Sequence, residues 1–174
     1  MDLAAANLLA TLLTTVAATT LAAWYLSPAL RTRPLAGALT LLIWPHAFRY
    51  VALQIFSAAQ VGGLDAPTAA QRTIAFGDLA TAILALITLW ALHAEVSAAR
   101  TLVWIFVAIG AADLVSATIV GIDNQLTDTA SNLSWLILAF YVPILWITAI
   151  MLVYQLASRR HEALAGTSRP QTSG

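Results

Sequence analysis

Residues 35–61 read LAGALTLLIWPHAFRYVALQIFSAAQV, and this stretch decides the fold class. About 20 predominantly apolar residues are needed to cross the hydrocarbon core as a helix. The stretch exceeds that length, and Arg49 is its only formally charged side chain. Four more stretches of the same kind surround it. One runs from about Leu3 to Leu26, where Ser27-Pro28 is expected to end it. One begins near Ala66-Pro67, with Asp65 as its cap and Pro67 in its first turn, and reaches about Leu92. The others cover about Thr101 to Ile122 and Leu133 to Leu156. Gly62-Gly63 breaks the second from the third. The expected fold is therefore all-α, an integral membrane bundle of five transmembrane helices. Residues 1–157 form the membrane domain, and 158–174 a polar tail expected to be disordered.

Composition agrees. The 174 residues are 60% hydrophobic and 9% charged, whereas soluble domains carry about 25% charged residues. Such a chain cannot cover a water-exposed globule, but lipid requires no polar cover. Formal net charge is zero, which argues against nucleic acid, because phosphate binding needs a concentrated basic face. The absence of Cys excludes disulfides, thiolate metal sites and cysteine nucleophiles. The first stretch carries Asp2 in place of a positive leader and is too long for a signal-peptide core, so it is expected to be a retained helix.

Arginine placement sets the expected orientation. Arg31 and Arg33 follow the first helix, Arg100 follows the third, and Arg159, Arg160 and Arg169 follow the fifth. In a five-helix topology these segments share one side. Asp2, Asp65, Asp123 and Asp128 share the other, with Arg72 as its cation. The expectation is N-terminus outside and C-terminus inside, in a bacterial cytoplasmic (inner) membrane. Trp24, Trp90, Trp104 and Trp135 fall near helix ends, as interfacial anchors do; Trp44 and Trp146 lie deeper.

The second helix carries the chemistry. Advancing about 100° per residue from His46 on an α-helix puts Arg49 near −60°, Tyr50 near +40° and Gln54 near +80°. Its polar side chains then occupy one half, which should face protein or water. Pro45 frees a carbonyl one turn earlier, near Leu41, where a kink is expected. Asp78 on the third helix, Asp113 on the fourth and Tyr141 on the fifth fall at similar depth, with Ser134 nearer the outer end. A charge at the bilayer centre costs about 2.5–3.5 kcal/mol on the most lenient scale. Arg49, with five donors and a permanent charge, is thus the expected partner of both carboxylates. One carboxylate is left in excess, to be balanced by a proton, a cationic His46 or an outside cation. The ligand- or proton-binding candidates are His46, Arg49, Tyr50, Gln54, Asp78, Asp113 and Tyr141. A buried network that only locks the helices is the competing reading. For His46, a hydrogen-bonded core histidine is favoured over a haem or metal ligand. No metal site is expected and no cofactor is assigned.

The run Trp44 to Tyr50, with Phe76-Gly77-Asp78 and Ala112-Asp113, resembles a group of small multi-helix bacterial membrane proteins. They carry H-x-F-R on the second helix, Y-G-D on the third and A-D on the fourth. Here Phe76 stands at the Tyr position. The resemblance covers about residues 35–157 and implies a shared polar centre at His46, Arg49, Asp78 and Asp113, with no known activity. Zincin, P-loop and G-x-S-x-G motifs are absent. Three functions stay open. The first is a polar cavity binding a small or lipophilic ligand, with transport or proton coupling. The second is an intramembrane enzyme acting on a lipid or isoprenoid-like substrate. The third is a structural subunit of a larger membrane complex. The expected partners are the bilayer, such a ligand, and a second copy or membrane-complex subunit.

Overall fold

The computed structural model describes residues 2–57, 68–129 and 132–164. Those residues form helices and turns without a strand. Five helices are long and apolar enough to cross a membrane: α1 (Leu3–Arg31), α2 (Leu35–Phe56), α3 (Ala69–His93), α4 (Ala99–Asp123) and α5 (Leu133–Ser158). A short helical turn, Leu126–Thr129, joins α4 toward α5. Gly62-Gly63, Asp65 and Pro67 lie outside the described residues, as do residues 165–174 of the expected disordered tail. The third helix starts at Ala69, later than read from sequence. Thr68 caps it in a reciprocal box, its hydroxyl accepting from Gln71 N while its own N–H donates to the Gln71 side chain.

Three prolines shape the helices, each through its missing N–H. Ser27-Pro28 does not end α1 as expected. The ladder widens instead into a π-turn at Ala22–Leu26, where Ser27 N donates to Ala22 O, and the helix continues to Arg31. The same device precedes Pro143: a π-turn spans Ile137–Tyr141, and Val142 N donates to Ile137 O. At Pro45 the response is opposite. The helix is α over Leu35–Ile43 and then tightens into a 3-10 helix over Trp44–Phe56. Runs beyond three or four residues are uncommon in that form. Its rise of about 2.0 Å per residue carries α2 farther across the bundle than an α-helix of equal length.

The second half of α2 packs on α3, and α3 packs on α4. The first half of α2 packs on α5, which also meets α1. The Arg-bearing end is filled by a continuous apolar core that includes Leu30, Leu35, Leu39, Leu42, Ile43, Val103, Phe106, Leu152 and Leu156. Past α5 the chain turns back over this end. Arg159 Nη1 donates to Leu30 O at 3.3 Å and Nη2 to Arg33 O at 2.9 Å. Glu162 Oε1 accepts from Leu35 N, the first amide of α2, at 2.8 Å. Arg159 and Glu162 are themselves paired at 2.6 Å, and Arg100 donates to the Arg160 and Glu162 carbonyls. One polar clasp therefore closes the orphaned end of α1 and start of α2.

Candidate functional site

The 3-10 twist of α2 aims the central residues. Three residues per turn stack i and i+3, so His46, Arg49 and Ala52 line up, and all three are buried. Tyr50 advances about 120° from His46 rather than 40°. It accordingly turns outward and is 46% exposed, away from the polar face where α-helical spacing put it. Gln54 swings about as far the other way and donates to Ser134 Oγ on α5 at 2.8 Å.

Arg49 is 1% exposed. Its Nε donates to Asp78 Oδ1 on α3 at 2.6 Å, its Nη2 to Asp113 Oδ2 on α4 at 2.5 Å, and its Nη1 to the Gly110 carbonyl at 3.3 Å. Three helices are thereby tied by one guanidinium, whose planar fork suits several carboxylate oxygens at once. Thr81 adds a donor to Asp113 Oδ2 at 3.3 Å. The close approach of α3 to α4 depends on Gly77, where a Cβ would collide with the Asp113 carboxylate. Sequence reasoning missed Thr81 and the Gly110 carbonyl. Each stands three residues from its aspartate, Thr81 after Asp78 and Gly110 before Asp113, the spacing that shares a helix face.

Tyr141, at the end of the α5 π-turn, donates its hydroxyl to Pro45 O at 2.5 Å, fixing the point where α2 tightens. One α-helical repeat further, at the same-face spacing, Thr148 donates to Ile144 O at 2.9 Å and Leu145 O at 3.1 Å. With its hydrogen so used, Thr148 Oγ1 accepts at 3.0 Å from His46 Nε2, which assigns the ring proton to that nitrogen. Among the described residues Nδ1 has no hydrogen-bond partner, and the ring sits edge-on to Phe106. His46 therefore stands as an anchored core side chain beside the ion network. Among the described residues no group of three His, Cys, Asp or Glu is placed to hold a metal ion.

Above Arg49, toward the N-terminal end of α1, the bundle opens into a cavity of about 260 Å³ to which all five helices contribute. Arg49 and Asp78 floor it, Ile55, Ile74, Leu114 and Ile137 are among its walls, and Asn7, Gln71 and Ser134 supply neutral polar groups toward the helix ends. Gln54 and Tyr141 border it; His46, Tyr50 and Asp113 do not. A mostly apolar space with a few convergent polar groups is the usual character of a small-molecule site. The charged floor can orient a head group while the walls hold an apolar body.

A five-helix bundle of membrane-crossing length, tied by a buried Arg–Asp–Asp centre beneath a cavity, is the class of protein these features define. The chain belongs to the family described as a domain of unknown function, DUF8737, whose model matches residues 6–157. No curated protein and no solved structure matches the chain.

Proposed function

We propose that this multi-pass protein binds a small or lipophilic ligand in the cavity above Arg49, with Asp78 and Arg49 engaging its polar end. We further propose that the N-terminus and cavity face the outside of a bacterial cytoplasmic membrane and the tail faces the cytoplasm. The observation that carries the binding role is the cavity itself. A network that only locked helices would be packed round, as the apolar core at the Arg-bearing end is. Here the ion pair instead floors an open space of about 260 Å³. The arginines at the opposite end support the orientation.

The native chain lacks cysteine, so single introduced thiols test both parts. Ala117→Cys, in the cavity wall, should react with a small impermeant thiol reagent added outside intact cells, and phenylbutanol should slow the reaction. Ala85→Cys, in the packed core, should stay unreactive. A reporter fused after Gly174 should be active only in the cytoplasm. Labelling of Ala117→Cys solely from the cytoplasmic side would overturn the orientation. Labelling indifferent to apolar compounds would overturn the ligand role.

A further inference from the structure

The groups that face the cavity differ in what they have left to give. Arg49 commits Nε, Nη1 and Nη2 to Asp78, Gly110 and Asp113. Asp78 accepts through Oδ1, and among the described residues its Oδ2 receives no hydrogen bond. Gln54 donates one amide N–H to Ser134, while its Oε1 is buried without a partner among the described residues. Tyr141 spends its hydrogen on Pro45 O, which leaves the phenol oxygen as an acceptor. Around the floor, then, Asp78 Oδ2, Gln54 Oε1 and the Tyr141 oxygen are left as acceptors. The charge balance has the same sign. Among the described residues Arg49 and Asp78 are the charged ones lining the cavity, and Asp113 sits behind Arg49 as a second carboxylate on the same guanidinium. Two carboxylates share one cation. The neutral groups toward the helix ends, Asn7, Gln71 and Ser134, leave that charge balance unchanged.

We infer that the ligand is a lipophilic monocation, an amine or a comparable ammonium group on an apolar body. Its N–H groups meet Asp78 Oδ2 and Gln54 Oε1, and its body lies against Ile74, Leu114 and Ile137. The inference rests on the ligand-binding role proposed above and adds the chemical class. A carboxylate or phosphate head would add to an excess of negative charge. A neutral alcohol could donate one hydrogen bond but would leave that excess in place. An apolar cavity of about 150 Å³ accepts benzene, so the present volume suits one ring with a short chain.

Three probes with one apolar body separate the cases: phenylbutylamine, protonated at neutral pH, phenylbutanol and phenylbutyrate. Their affinities are measured by titration calorimetry on the full chain in nanodiscs of zwitterionic lipid, so that the bilayer surface does not sort them by charge. The amine should bind at least about tenfold more tightly than the alcohol, the difference of one charge-assisted hydrogen bond, and the butyrate should not bind. Ala117→Phe, which fills the cavity wall, should abolish amine binding. Asp78→Asn should bring the amine down to the alcohol's affinity. Should that variant fail to fold, the three-probe comparison on the native chain still decides the matter. Equal affinity for amine and alcohol, both lost in Ala117→Phe, would overturn the cationic head group and leave the ligand cavity standing. Preference for the butyrate would do the same. Binding of none of the three, with Ala117→Phe no different from the native chain, would overturn both inferences.

Discussion

Two arginines tie helices together at opposite depths of this bundle, and they do so by different means. Arg49 is 1% exposed and joins α2 to α3 and α4 through two side-chain carboxylates and one carbonyl. Arg159 lies past the end of α5, partly open, and joins the α1–α2 turn through two carbonyls and the half-exposed Glu162. Around Arg159 the neighbouring core is closed; beside Arg49 it opens into the cavity. The contrast shows what each contact is for. In water a salt bridge competes with solvent and contributes little. Away from water the same pair becomes hard to break, because removing one member strands the other.

The largest effect should follow from breaking the deep pair. Arg49→Ala leaves two carboxylates without their cation and should destabilise the bundle by roughly 3–5 kcal/mol, the usual cost of stranding a buried charge. Asp113→Asn is nearly isosteric, keeps an acceptor for Arg49 and removes the excess negative charge, so it should cost much less. Unfolding of both variants in detergent, compared with Arg159→Ala, checks the ordering. If Arg159→Ala proves the most damaging of the three, the deep centre is not the principal tie.

Next in size is the contact between α3 and α4. Gly77→Ala sets a Cβ against the Asp113 carboxylate, which Arg49 and Thr81 hold in place. The carboxylate cannot give way without loosening both bonds. Overpacking of this kind costs typically 1–3 kcal/mol. Combining the change with Asp113→Ala should recover part of that loss, since the obstructing group is gone. Fully additive effects in the double-mutant cycle would mean that the two residues do not meet.

The deep centre was more legible in the sequence than the geometry that serves it. Arg49, Asp78 and Asp113 stand out because charges within apolar stretches must find one another, and the structure joins them. The five helices follow from length and hydropathy, with ends shifted where local chemistry intervenes. Thr68 captures the start of α3, and the π-turn carries α1 through Pro28. The change of winding at Pro45 was not legible. Over one turn, periods of 3.0 and 3.6 differ little, but the difference accumulates at about 20° per residue. By Tyr50 it had moved a polar side chain out of the site, and by Gln54 it had turned another toward α5. The cavity was unreadable for another reason. Its walls are ordinary apolar residues, and only their placement in three dimensions leaves them apart.

The smallest effect belongs to the exposed clasp and appears only in acid. The Arg159 hydrogen bond, together with the Leu35 amide, holds the Glu162 carboxyl below its ordinary value of 4.5. A carboxylate with a depressed folded-state pKa adds stability above the unfolded value, and that stability disappears as pH falls through the folded one. Near neutral pH the clasp is therefore fully formed, and it should loosen only below about pH 4.5. Glu162→Gln keeps an oxygen for the Leu35 amide but cannot ionise, so its melting temperature should not share that final decline. The measurement is the difference in melting temperature between native and Glu162→Gln chains in nanodiscs, followed from about pH 6 to pH 3. The native chain should melt slightly higher at pH 6, and the gap should close toward pH 3. A gap that widens on acidification would mean the carboxylate is held less firmly in the folded chain than in the unfolded one, contrary to the bonds from Arg159 and Leu35.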